Sequence, residues 1–257
     1  MNVLQALALG LIQGITEWLP ISSSGHLAIA QELMKLSVPV AFDVLLHFSS
    51  LLVIIIFFRR ELADMLRAIF RFNKKSPDFK LALMVIIASI PTAIIGFSLD
   101  KLFESAFSNL LIIAIAFIIT GFWILISGIR HGENPIGIKS SLLIGIAQGL
   151  ALVPGISRSG STISTGLILG IKKEDAFKFS FLLAIPAILG ANLFKIRELT
   201  LIPFSLSSII IGLITAFIFG LASLFLLRRI IIGKKFHYFA YYCFIIGLIT
   251  IIIYFLR

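Results

Sequence analysis

Four stretches of this chain, residues 81–99, 105–129, 199–227 and 236–256, contain no Asp, Glu, Lys or Arg. Each is near the roughly 20 residues that a helix needs to cross about 30 Å of hydrocarbon. Composition agrees: 59% of the 257 residues are hydrophobic and 13% are charged, against about 25% charged in soluble domains, and mean hydropathy is +1.11. A secretory signal would be one short segment at the start, whereas here the apolar pattern continues to the last residue and leaves no room for a soluble domain. Lipid cannot satisfy open backbone groups, so spanning segments of this kind are helical. The expectation is an all-α polytopic membrane protein, one membrane domain over 1–257.

The net charge of +10 does not point to nucleic acid, because the cations fall in short loops between spans and form no soluble basic face. Loop 59–80 carries seven Lys/Arg against three acids, and 228–235 carries Arg228, Arg229, Lys234 and Lys235 with no acid. Both are expected on the cytoplasmic side, where such excess collects. Cys243 stands alone in an apolar run, which excludes an intrachain disulfide or a cysteine-based metal site.

The chain repeats itself. GLIQGITEWLPISSSG at 10–25 aligns with GIAQGLALVPGISRSG at 145–160, matching Gly10 to Gly145, Gln13 to Gln148, Gly14 to Gly149, Ser22 to Ser157, Ser24 to Ser159 and Gly25 to Gly160. Ala41-Phe42 and Ala176-Phe177 keep the same offset, and Arg60-Glu61-Leu62 meets Arg197-Glu198-Leu199 two residues out of it. Such self-similarity marks repeated structural units, here about 1–135 and 136–257. Each opens with an apolar stretch broken by Pro, Gly and Ser, and a break at membrane depth must be buried in protein or line a cavity. Both are read as re-entrant helical hairpins, followed by three spans each: about 42–58, 80–99 and 106–129, then 176–194, 205–227 and 237–256.

Three crossings per half turn the second half upside down, giving two inverted repeats. With 59–80 inside, the inner loops (59–80, 130–139, 172–178, 228–235) hold 16 Lys/Arg and the outer ones (27–43, 100–104, 195–198, Arg257) hold five; only Arg158 remains. Charge and topology agree. The hairpin tips are then expected to meet within the membrane, where inverted-repeat proteins build their sites.

Ionised groups in such surroundings need a reason, since Asp at a span centre costs about 2.5–3.5 kcal/mol on insertion scales. Glu17 has Gln13 one turn earlier on the same helix face, so both side-chain oxygens could reach a hard cation such as Mg²⁺ or Ca²⁺; a structural bond from Glu17 to the facing loop is the alternative. Arg158 sits in Gly155-Ile156-Ser157-Arg158-Ser159-Gly160. Guanidinium binds phosphate oxygens bidentately, and glycines and hydroxyls around it suit an anion nest; a buried Arg158–Glu17 ion pair is the alternative. His26 follows Ser22-Ser23-Ser24-Gly25, close enough to accept a hydroxyl proton as nucleophilic catalysis requires. His47 is evenly balanced between function and a satisfied core position, and His131 and His237 read as loop or interface residues.

At these two loops the sequence resembles the undecaprenyl pyrophosphate phosphatase family, also called bacitracin-resistance proteins. One signature is matched by Gln13, Glu17, Pro20, Ser22, Ser23, Ser24, Gly25 and His26, the other, PGxSRSG, by Pro154, Gly155, Ser157, Arg158, Ser159 and Gly160. The resemblance spans essentially the whole chain. It implies hydrolysis of undecaprenyl diphosphate to the monophosphate at an outward-facing site of the bacterial cell membrane, with a divalent cation. By position, Glu17 and Gln13 would hold the cation, Arg158 would clamp phosphate among Ser22, Ser24, Ser157, Ser159 and Gly160, and Ser23 and His26 would be the catalytic pair. Gln13 stands where some members have Glu, which removes one charge from the cation site. No nucleic acid partner is implied, and a homodimer is left open.

Two other readings share these features. A transporter or polyprenyl-phosphate flippase would equally use inverted repeats and broken helices. Phosphatidic-acid phosphatases share SGH and SR elements but need a His six residues after the Arg, where this chain has Ser164.

Overall fold

The computed structural model describes residues 1–128, 132–195, 204–232 and 235–256. His131, the Arg197-Glu198-Leu199 repeat match, Lys234 and Arg257 lie outside the described residues. Within them, regular structure is helical apart from one isolated bridge between Asn134 and Ile171. The first half comprises α1 (Val3–Trp18), α2 (Ser23–Leu33), α3 (Val40–Phe57), α4 (Arg59–Phe70), α5 (Pro77–Phe107) and α6 (Leu110–Ser127). The second comprises α7 (Ile138–Leu150), α8 (Arg158–Ile168), α9 (Lys173–Phe194), α10 (Leu206–Ile232) and α11 (Tyr238–Phe255).

Six helices, α3, α5, α6, α9, α10 and α11, are long and apolar enough to cross a membrane, and they correspond to the six spans expected from the sequence. Two boundaries differ. The segment 100–104, expected as a loop, continues α5 beyond a kink at Leu99, where φ is −119° and ψ 15°. The front of loop 59–80 is the helix α4, whose Leu62, Met65, Leu66 and Ile69 share a face while Arg60, Arg67 and Arg71 share another. Charge count alone hid that periodicity.

α1 stops at Trp18 because Leu19 precedes Pro20 and takes an extended conformation, ψ 145°, as residues before proline do. Ser22 then turns the chain at φ 63°, a region costing a non-glycine residue of order 1–3 kcal/mol. Its Oγ accepts from Gly25 N (3.3 Å) and, across the repeat, from Gly155 N (3.1 Å). Ser159 Oγ donates back to the Leu19 carbonyl (3.2 Å). The two broken loops thus satisfy each other's backbone groups where lipid could not. Gly155 itself has φ +98°, and a Cβ there would stand 2.5 Å from the Ile113 oxygen, which leaves no room for another residue.

Matched glycines in the two halves perform matched packing. Gly10 brings α1 against α10, where a Cβ would meet Gly212 O at 2.4 Å; Gly145 brings α7 against α5, where a Cβ would meet Ala88 O at 2.0 Å. Small residues let helix backbones approach this closely. Phe58, just after α3, lies 6.0 Å ring to ring from Phe177 near the start of α9, so these two spans run antiparallel. Arg228 near the end of α10 lies 6.0 Å from the Phe57 ring. The largest buried cluster draws on both halves, including Trp18, Val53, Ile54, Phe179, Phe181 and Leu224.

Candidate active site

α1 delivers Glu17 on its last turn, and Ser23 and Arg158 are the first residues of α2 and α8. Ser23 and Arg158 are equivalent positions of the repeat, so the same turn of backbone contributes a hydroxyl in one half and a guanidinium in the other. The position equivalent to Glu17 is Leu152. The repeat therefore supplies the framework, and its divergence supplies the chemistry.

Glu17 is buried and surrounded by donors. Its Oε1 is bonded to Arg158 Nη2. Its Oε2 accepts from Ser23 Oγ at 2.5 Å and from Gln13 Nε2 at 3.0 Å, and lies 3.2 Å from His47 Nε2. The buried Arg158–Glu17 ion pair, weighed as an alternative from the sequence, is formed. Arg158 Nη1 is buried without a hydrogen-bond partner, and the guanidinium carbon lies 5.5 Å from the Trp18 ring. Arg158 thus has one arm committed and one to spare.

His47 enters the site from α3. Its Nδ1 donates to the Asp43 carbonyl at 2.7 Å, so its contact with Glu17 is an ion pair when both ring nitrogens carry protons. Asp43 and His47 share a face of α3, as i, i+4 positions do, and both line the same cavity. The Asp43 carboxylate accepts from Gln31 Nε2 at 2.8 and 3.0 Å. The sequence reading weighed His47 without placing it in the site and passed over Asp43 and Gln31. A signal existed in the Asp43–His47 spacing, but it does not say which face of α3 meets Glu17.

The expected pairing of Ser23 with His26 is not formed. His26 Nδ1 donates to the Ser22 carbonyl at 2.7 Å, and its Nε2 meets Tyr242 OH at 2.8 Å. The ring stacks on Tyr242 and sets its edge against Phe117. It borders a separate apolar groove between α1, α2 and α11. Spacing of three residues brought Ser23 and His26 to neighbouring positions of α2, but the aromatic neighbours from α6 and α11 draw the imidazole outward while Glu17 takes the serine hydroxyl.

Glu17, Ser22, Ser23, Ser24, Ser157 and Arg158 line one end of a cavity of about 330 Å³. The N-termini of α2 and α8 both open onto it, an arrangement that favours anions. Apolar walls that include Phe97, Phe103, Phe107 and Phe194 lead to a second polar end. There Lys195 is bonded to Glu104 and lies 3.5 Å from Asp100. Gln13, Ser159 and Gly160 do not line the cavity. Gln13 braces Glu17 and donates to Ser50 Oγ at 3.3 Å, and the Gly160 N–H donates to Ser157 Oγ at 3.1 Å.

Among the described residues no group of three or more His, Cys, Asp or Glu side chains could hold a metal ion. Of the two expected cation ligands, Glu17 already has both oxygens engaged by Arg158, Ser23, Gln13 and His47, and Gln13 Oε1 is buried without a partner. Gln13 turns its Nε2 to Glu17 and lies outside the cavity lining, so the two residues do not present a joint pair of oxygens to a cation there.

Fold and site together define an all-α membrane protein with a cavity lined by serine hydroxyls and the Arg158–Glu17 ion pair where its two halves meet. A family model described as "Bacitracin resistance protein BacA" matches residues 6–249. The chain belongs to that family. Relatives named undecaprenyl-diphosphatase include those of Syntrophotalea carbinolica (41% identical over 96% of this chain and 97% of theirs), Thermosipho melanesiensis (40%, 95% and 97%) and Methanosphaera stadtmanae (39%, 98% of both).

Proposed function

We propose that this chain hydrolyses undecaprenyl diphosphate to undecaprenyl phosphate and inorganic phosphate, which returns the lipid carrier to peptidoglycan synthesis and confers bacitracin resistance. The observation that carries this reading is Arg158, whose Nη1 has no hydrogen-bond partner, in a cavity that it lines together with Ser22, Ser23, Ser24 and Ser157 and that has apolar walls. A diphosphate would take the polar end and the first isoprene units the aromatic walls, with the remaining chain in lipid. The relatives' printed name, undecaprenyl-diphosphatase, agrees.

In the proposed reaction Ser23 Oγ attacks the terminal phosphorus while Glu17 Oε2, already its hydrogen-bond acceptor, takes the proton. The bond from phosphorus to the bridging oxygen breaks, and undecaprenyl phosphate leaves. Water then cleaves the phosphoserine, releasing phosphate. Arg158 would bind the developing charge on the phosphoryl oxygens, the kind of electrostatic assistance that dominates such transfers. His47 would hold Glu17 in place.

The site is proposed to face outward in the bacterial cell membrane. Asp100, at the cavity's far end, stands some 23 residues along α5 from Pro77, about 35 Å at helical rise, and so is remote from the basic segment 59–80 expected inside. We further propose that the two halves form one membrane domain as inverted repeats, supported by the antiparallel α3 and α9 and by the exchanged partners of Gly10 and Gly145.

The test is phosphate release from undecaprenyl diphosphate by purified protein, with metal titration. Release that depends on Arg158 and Ser23 supports the reading. Transport of polyprenyl phosphate without phosphate release would replace it with the flippase alternative.

A further inference from the structure

α4 is unlike the other helices. Segment 59–75, which contains it, carries six Lys/Arg, namely Arg59, Arg60, Arg67, Arg71, Lys74 and Lys75, against Glu61 and Asp64. All six cations are exposed, and Asp64 is paired with Arg67 at 3.0 Å. At 100° per residue Arg60, Arg67 and Arg71 fall within one narrow stripe. Beside that stripe lie Leu66, 53% exposed, and Phe70, 83% exposed, with Phe72 just beyond the helix at 73%. Met65 and Ala68 are buried and hold the helix to the protein. Large apolar side chains this exposed, next to a row of cations, match a helix lying in the membrane interface.

The surroundings add to the charge. α4 starts directly after Phe58, whose ring lies against Phe177 of α9, beside Lys178. Arg228 reaches the Phe57 ring from α10, and Arg229 follows it, both exposed. One end of the bundle therefore gathers cations from three helices around an exposed apolar edge. The complement of such a surface is an anionic headgroup at the boundary of an acyl layer, as polybasic juxtamembrane segments bind acidic lipid.

We propose that α4 and residues 71–75 form a binding surface for acidic glycerophospholipid, with Leu66, Phe70 and Phe72 in the acyl boundary and Arg60, Arg67 and Arg71 on the phosphates. No residue of this surface lines the cavity of Arg158, and it takes no part in the proposed hydrolysis, so it stands or falls separately.

The test places a fluorophore on Phe72→Cys in a Cys243→Ala background, in full-length protein reconstituted into nanodiscs. Brominated phosphatidylglycerol or brominated phosphatidylcholine is added in equal minor amounts to an unbrominated phosphatidylcholine bilayer. The expected result is an enrichment of phosphatidylglycerol over phosphatidylcholine of about fivefold, the order expected for a single basic side chain at an anionic surface. It should fall in high salt, disappear in R60Q/R67Q/R71Q, persist in R60K/R67K/R71K, and be absent for a probe at Ser105→Cys. Equal quenching by the two lipids in the parent protein overturns the proposal, whatever the variants do. So does a preference that survives R60Q/R67Q/R71Q.

Discussion

Glu17 is the residue on which the site converges, because Ser23, Gln13, His47 and Arg158 all reach it. Glu17→Gln keeps its shape but removes the charge, so phosphate release should fall by about a hundredfold or more while circular dichroism stays unchanged. A variant that turned over normally would remove Glu17 from the chemistry. Arg158→Lys should be nearly as inactive as Arg158→Ala, since a point charge cannot reproduce a planar fork that bonds Glu17 and phosphate together. Near-normal turnover in the lysine variant would show that charge alone suffices. His26 has a different signature. Its bonds to Ser22 O and Tyr242 OH support the turn that presents Ser23, so His26→Ala should lower the thermal midpoint, by about 1–3 kcal/mol of stability for the unpaired groups. Tyr242→Phe should shift it the same way by less. A midpoint unmoved in both, with activity lost in His26→Ala alone, would return His26 to a direct role.

At the scale of elements, the helices pack through places where the side chain has been deleted. Gly145 and Gly10 are the clearest, because the neighbouring carbonyl oxygen occupies the space a Cβ would need. Gly145→Ala should therefore destabilise the protein by about 1–3 kcal/mol, the usual cost of overpacking, and Gly10→Ala should do so comparably. Thermal unfolding in detergent measures both, and an unchanged midpoint would mean that α7 and α5 can separate freely. By contrast Gly137, which has nothing within 4 Å of its would-be Cβ, should accept alanine with little change. These outcomes would also report on the repeat, since two glycines 135 positions apart would be seen to do one job against two different helices.

At the scale of the whole molecule, charge predicts orientation: Lys74 and Arg229 inside, Ser37 and Glu104 outside. With Cys243 replaced, single cysteines at these four positions can be tested in intact cells with an impermeant thiol reagent. Only the second pair should be labelled, and labelling of the first pair would overturn the proposed orientation. Much of this architecture can be read from the order of residues, because bilayer thickness converts directly into helix length and a constant offset between Gln13 and Gln148 or Ser22 and Ser157 exposes the repeat. Glu17 and Arg158 are legible for the same reason: an ion among apolar residues is expensive wherever it sits. What could not be read is which side chains meet. Whether α3 turns His47 or Ser49 toward Glu17, and whether His26 faces Ser23 or Tyr242, depends on rotations of helices set by contacts between residues as far apart as His26 and Tyr242. Local spacing defines a helix face, but only packing against distant segments decides what that face touches.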